Sequence, residues 1–255
     1  MMTVSELRGI QGDLPLKTVA YDGTGEGLDP SPGDEKVFFF DIDNCLYDIE
    51  TGISGMMTER IAAYGERIGI PKDKVVDLTL GYYKSYGLAV RGFIMHHDID
   101  PNHYDLHVDQ SLPLETILKP DLNIRKMLLR LNMKKWAFTN ANRPHAEKVL
   151  MLLGIHDLFD GLTYCDYSQP GFSCKPELNA YYRAMGDANV KRPELCYFVD
   201  DSPKNLNAAR QLGWNTIHVV GSKGTVPESL ANDSHLVIRT IDELPNIIPS
   251  LFEKI

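Results

Sequence analysis

A series of short apolar runs, each ending abruptly in polar residues, limits most strongly how this chain can fold. Lys36-Val-Phe-Phe-Phe40 stops at Asp41, and similar runs recur at Trp136–Phe138, Leu162–Tyr164, Tyr197–Val199 and Thr216–Val220. A run that is apolar without alternation suits a strand covered on both faces, as in a parallel sheet. Helical patterns lie between the runs, near 143–153, 177–188 and 203–213, the last stopped by Gly213. Strands alternating with helices of about ten residues build βαβ units, so the expected class is α/β: a Rossmann-like, twisted parallel sheet with helices on both faces.

The alternation breaks once. From Tyr47 to Met133 the pattern is helical almost throughout, with helices expected near 54–69, 72–86, 88–96, 102–111 and 122–132 and no convincing strand. An insertion of that length between the first and second strands is large enough to be a helical cap domain. The first 35 residues hold six glycines and three prolines without an apolar period, which predicts an irregular tail. The expected organisation is therefore a tail at 1–35, a core of 36–46 with 134–255, and a helical cap at 47–133. With 255 residues against ~150 per domain, one main domain carrying something extra is the natural reading.

Lys and Arg number 26 and Asp and Glu 35, a net charge of -9, and no run of Lys and Arg exceeds two residues. A grip on a nucleic-acid polymer would have to overcome that field, so no such partner is expected. Cys45, Cys165, Cys174 and Cys196 contain no C-x-x-C pair, which points to free thiols in a reducing compartment rather than a zinc site or disulfide framework. No secretory h-region or membrane span is legible, so the expected location is cytoplasmic, with the nucleus open. Oligomeric state is not legible.

In open parallel sheets ligands bind beyond the carboxyl ends of the strands. The residues there are Asp41 and Asp43, then Thr139 and Asn140, and Asp200 and Asp201, with Lys175 just before a helical pattern. Asp41 and Asp43 leave an extended segment on the same side, and paired anions call for a cation between them. A site of oxygen ligands suits Mg²⁺, which keeps waters and shares a substrate phosphate. Thr139 offers a hydroxyl and a backbone N–H to an anion, and Lys175 a point charge. Each segment alone reads as ordinary turn and cap chemistry. Together they supply the parts that phosphoryl transfer through an aspartyl-phosphate requires.

The ordered set Asp41-x-Asp43, Thr139-Asn140, Lys175-Pro176 and Asp200-Asp201, spaced by 98, 36 and 25 residues, resembles the four motifs of the haloacid dehalogenase superfamily of phosphatases. The resemblance spans about 36–220. Within it, the segments Phe38–Tyr47, Tyr82–Gly92 and Phe159–Asp166 resemble the fungal and plant pyrimidine 5′-nucleotidase branch. The resemblance implies a modified Rossmann core under a helical cap, Mg²⁺ as cofactor, and a nucleoside 5′-monophosphate as substrate, UMP and CMP preferred. It also implies that Asp41 attacks phosphorus and ligates Mg²⁺. Asp43 would protonate the leaving oxygen, later deprotonate water, and offer its backbone carbonyl to the metal. Thr139, Asn140 and Lys175 would hold the phosphoryl group, and Asp200 and Asp201 would complete the metal shell. Two positions depart from the broad pattern: Asn44, where Gly is frequent, and Cys45, where Thr or Val is usual. An acid at Asp43 argues against dehalogenation. The order along the chain, with the Lys before the second acidic pair, also disfavours a phosphate-accepting receiver module.

The motifs handle only the phosphoryl group, so other readings stay open. These are a phosphatase or phosphomutase for a sugar phosphate, phosphoglycolate or lysophospholipid, and a non-catalytic interaction protein on the same fold. In the expected cap, Arg91 is the candidate for substrate contact, with Lys84 near it in sequence; the plain alternative is a solvated helix charge. His145 begins the helix after Thr139-Asn140 and is within reach of the site, although a lone His at a helix start is more often structural. His96-His97 reads as surface or packing. Tyr82, Tyr83 and Tyr86 read as core before base-stacking platform, and Cys165, Cys174 and Cys196 as small buried hydrophobes.

Overall fold

A computed structural model describes residues 35–225 and 236–253. The tail expected at 1–35 lies outside these, except for Glu35. In chain order, β1 (Val37–Phe40) is followed by α1 (Ile53–Arg67), α2 (Lys72–Tyr86), α3 (Ala89–His97), α4 (Pro101–His107), α5 (Leu114–Ile117) and α6 (Leu122–Arg130). The alternation then begins: β2 (Lys134–Phe138), α7 (Arg143–Leu152), β3 (Gly161–Thr163), α8 (Leu178–Asp187), β4 (Cys196–Asp200), α9 (Pro203–Gln211) and β5 (Asn215–Val219). Beyond it lie β6 (Leu236–Ile238) and the short α10 (Leu244–Ile247).

The six strands form one parallel sheet in the order β3-β2-β1-β4-β5-β6. β1 lies in the interior of the sheet, and its unbroken apolar run is explained by burial on alternate faces. Val37 and Phe39 join one cluster with Phe138, Tyr181 and Trp214, against α8 and α9. Phe38 and Phe40 join the opposite cluster with Ala137, Val149 and Leu150, against α7. Phe39 pairs with Trp136 on one side and Phe198 on the other. Connections from β1 run outward in both directions, so the carboxyl end of β1 is where the strand order reverses and a crevice opens.

A third cluster holds Tyr64, Val75, Tyr82, Phe93 and Tyr104 from α1 to α4, together with Cys165, Tyr167, Phe172 and Cys174 from the loop after β3. Leu112, Leu114, Leu118, Ile124 and Leu128 instead share the cluster of Phe38 and Phe40, so α5 and α6 pack with the sheet. Where α2 and α3 cross, Gly92 leaves no room for a side chain: a Cβ there would stand 2.1 Å from the Tyr82 ring.

Three differences from expectation have local causes. The helix expected at 102–111 ends at His107; beyond it the chain turns, with the Gln110 N–H and side-chain amide both donating to Asp105 in the helix's last turn. The four-residue α5 is too short for a periodic signal. β6 has only three residues, so no run announces it. All four cysteines are free and buried, and no helix among the described residues is long and apolar enough to cross a membrane.

Candidate active site

Parallel register sets the centre of the site. Phe40 lies opposite Val199, and the Asp41 N–H donates to the Val199 carbonyl at 3.0 Å, so Asp41 emerges beside Asp200. Lys175 reaches both from the loop before α8. Its ammonium lies 2.7 Å from Asp41 Oδ1, 2.8 Å from Asp200 Oδ2 and 2.8 Å from the Phe138 carbonyl. The residue is 2% exposed, and those three acceptors use all three donors of an ammonium. Contact with a phosphoryl oxygen therefore requires exchange of one of them. Burial disfavours the charge on Lys175, but Asp200 and Asp41 outweigh it and raise its pKa. Asp200, fully buried, is further locked by the Ser202 N–H at 2.7 Å and the Asn205 amide at 3.1 Å.

Asp41, Asp200 and Asp201 each offer an oxygen within 4.8 Å of the others. Burial, opposed by Lys175 but reinforced by Asp200, Asp201 and Asp43, pushes the Asp41 carboxyl well above the ordinary range. Burial and the charge of Asp200 push Asp201 to about 6. Three carboxylates against one ammonium leave uncompensated negative charge. A hard divalent cation with oxygen preference, such as Mg²⁺, fits this donor set. Asn44 frames it from the loop: its backbone is left-handed at φ 57°, a conformation open to glycine and tolerated by asparagine. Its amide donates to Asp201 at 3.3 Å, and its own Oδ1 is buried without a partner.

Asp43 turns the other way. Its Oδ1 lies 2.7 Å from the Tyr47 hydroxyl and 2.7 Å from Nε2 of His145, and its side chain is 33% exposed. Burial would raise the Asp43 carboxyl, but the charge and hydrogen bond of His145, with Tyr47, bring it below the usual value. Conversely, burial would lower His145, while Asp43 raises it to about 9. His145 was the bland candidate in the sequence, and here it touches the second motif carboxylate. The available signal was its place in the first turn of α7, just past the Asn142 cap.

The remaining expected residues divide. Thr139 is buried, but its N–H donates to the Thr163 carbonyl at 3.0 Å, so it does not offer an anion the backbone donor expected of it. Its Oγ1 accepts from the Ala141 N–H at 3.0 Å, which leaves the hydroxyl proton to give. Asn140 spends both ends of its amide on Lys175, accepting from its N–H at 2.7 Å and donating to its carbonyl at 2.9 Å. Its side chain thus fixes the lysine, while Asn140 also lines the cleft beside it. Arg91, expected at the substrate, is bonded within the protein: it pairs with Glu177 and donates to the Tyr86 carbonyl at 2.9 Å. This joins α3 to the segment that carries Lys175. Tyr82 and Tyr86 bond His97 and His96 at 2.7 Å each, and Tyr83, Lys84 and Tyr86 line a cleft of about 220 Å³ with Lys175, Ser202, Lys204 and Asn205. The cleft adjoins the acidic centre through Lys175 and Asn205, which bond Asp41 and Asp200, although no motif carboxylate lines it.

A family model described as haloacid dehalogenase-like hydrolase matches residues 35–213. A Saccharomyces cerevisiae protein, Phosphate metabolism protein 8, is 34% identical over 239 residues, which cover 86% of this chain and 74% of the yeast protein. Among solved structures, a HAD phosphatase from Thermococcus onnurineus is 18% identical with a TM-score of 0.56, covering 84% of this chain and 97% of its own. β-Phosphoglucomutase from Clostridium difficile is 20% identical with a TM-score of 0.54, covering 85% and 96%. At those identities the two structures speak to the fold alone.

Proposed function

Because the chain belongs to the haloacid dehalogenase-like hydrolases, we propose that it is a Mg²⁺-dependent phosphatase of nucleoside 5′-monophosphates, preferring UMP and CMP. The observation that carries the phosphatase reading is the buried Lys175 ammonium joining Asp41 to Asp200, beside a second acid, Asp43, oriented two residues on. The resemblance of Tyr82–Gly92 and Phe159–Asp166 to pyrimidine 5′-nucleotidases supports the substrate class. The yeast relative's name, which speaks of phosphate metabolism, accords with the reaction class.

Asp41 is the nucleophile: its carboxylate attacks phosphorus and becomes the aspartyl-phosphate. Asp43, ionised in the free enzyme, takes up a proton when the anionic ester binds and gives it to the leaving 5′-oxygen, then takes a proton from the water that releases phosphate. The Thr139 hydroxyl donates to a phosphoryl oxygen. Lys175 neutralises charge on Asp41 and shifts toward the phosphoryl group once that carboxylate is esterified. Asp41, Asp200, Asp201 and the Asp43 carbonyl would hold Mg²⁺, which when bound neutralises phosphoryl charge as a Lewis acid. Lys84 and Lys204 in the cleft give an acidic protein a locally positive approach for an anion. The reading places the enzyme in the cytoplasm.

The test is a phosphate-release screen over nucleoside monophosphates, sugar phosphates, phosphoglycolate and lysophospholipids, with and without chelator. The expected result is fastest release from UMP and CMP, abolished by chelator and by Asp41→Asn. Faster turnover of another ester would replace the substrate, undiminished activity under chelator would remove Mg²⁺, and an isomerised ester with little free phosphate would identify a mutase.

A further inference from the structure

Asp43 receives two donors on one oxygen. The Tyr47 hydroxyl and His145 Nε2 both meet Oδ1 at 2.7 Å, and among the described residues nothing donates to Oδ2. Tyr47 is a sequence neighbour, but His145 arrives from 102 residues away with its ring 1% exposed in the core. Nδ1 of that ring has no hydrogen-bond partner, and neither has Oδ2 of the buried Asp109. Of the charges around Asp109, that of His145 acts on it most strongly. The imidazole is thus set between a carboxylate it bonds and one whose field it feels. A carboxylate torsion is ordinarily soft and two-fold, so either oxygen can face a ligand. Holding Oδ1 between a buried ring and a hydroxyl restricts that freedom.

We infer that His145, assisted by Tyr47, is a positioning residue that holds Oδ2 of Asp43 toward the reacting oxygens. The inference rests on the proposed role of Asp43 as proton donor and acceptor. Loss of the pin costs proton transfer and leaves the attack by Asp41 intact, because Asp41 is held independently by Lys175 and the Val199 carbonyl.

p-Nitrophenyl phosphate separates the two half-reactions, since its leaving group departs without a proton while release of phosphate still needs a base. In rapid-mixing experiments His145→Leu is expected to give an initial burst of nitrophenol, followed by turnover slowed on the order of 10- to 100-fold, as a misplaced acid–base group would produce. With UMP, whose leaving oxygen needs a proton, the same variant should show no burst of nucleoside and a similar loss in kcat, with KM within about twofold. His145→Gln, which carries an N–H at similar reach, should restore most of the turnover. Tyr47→Phe should show a smaller loss of the same kind, and it carries the test if thermal unfolding shows His145→Leu to be misfolded. Wild-type kcat in the Leu variant, equal slowing of burst and steady state, or a Gln variant no better than Leu would overturn the inference. Failure of the wild-type protein to release phosphate from either ester would overturn the functional reading itself, and the inference with it.

Discussion

Replacing Lys175 with methionine keeps the length and flexibility of the side chain and deletes only the charge and its three donors. The ammonium makes contacts of 2.7, 2.8 and 2.8 Å, and two of its partners are carboxylates with side chains 9% and 0% exposed. Water cannot replace the missing donors there. Breaking a buried pair by removing one partner typically costs about 3–5 kcal/mol, so Lys175→Met should lose that much in urea unfolding near neutral pH with chelator present. Asp41 already lies well above the ordinary carboxylate range, so lowering the pH lets it take up a proton and should shrink the loss. Adding Asp200→Asn to the variant removes one of the stranded charges and should recover part of the deficit, giving a favourable coupling in a double-mutant cycle. A loss below about 1 kcal/mol would place the contact with exposed ion pairs and refute the reasoning that this ammonium balances a buried acidic centre.

Gly92→Ala would put a methyl group 2.1 Å from the Tyr82 ring; chemical unfolding should register about 1–3 kcal/mol of overpacking cost. Burial, opposed by His145 but reinforced by Asp105, raises Asp109 to about 7, so the folded protein binds more protons than the unfolded chain between about pH 4 and 7, and this residue's contribution to stability falls as pH rises through that window. Asp109→Asn should therefore stabilise by up to about 4 kcal/mol near pH 8 and by almost nothing near pH 4, read from denaturation at both pH values. Glu177→Gln removes the charge that Arg91 meets across α3 and the Lys175 loop. Because a half-exposed pair is worth about 0–1 kcal/mol, stability should barely change while steady-state kinetics show KM for the nucleotide moving a few-fold.

Much of this was legible because the informative signals were local. The run Val37–Phe40 is apolar at every position, and only burial on both faces produces that pattern, so the sheet and the place of Asp41 at its edge followed directly. Asp200 and Lys175 were legible as chemistry at strand and loop ends, and register brings them into contact. What escaped depended on distance in sequence. Nothing in the neighbourhood of His145 says that its ring meets an acid 102 residues earlier, and nothing near Arg91 says that Glu177 is waiting 86 residues on. Periodicity predicted helices near 122–132 as well as near 54–69 without telling which of them packs on the sheet, because an amphipathic stripe is the same whatever covers it. β6 escaped for the opposite reason: three residues are too few to carry a pattern.

The account stands most directly on where phosphate becomes covalently attached. Acid quench of the enzyme during turnover of UMP with Mg²⁺, followed by borohydride reduction, which expels phosphate and converts a phosphorylated aspartate to homoserine, and by peptide mass analysis, should find that conversion at Asp41 and none in Asp41→Asn. Turnover that continues in Asp41→Asn, or conversion of a different carboxylate, would contradict it.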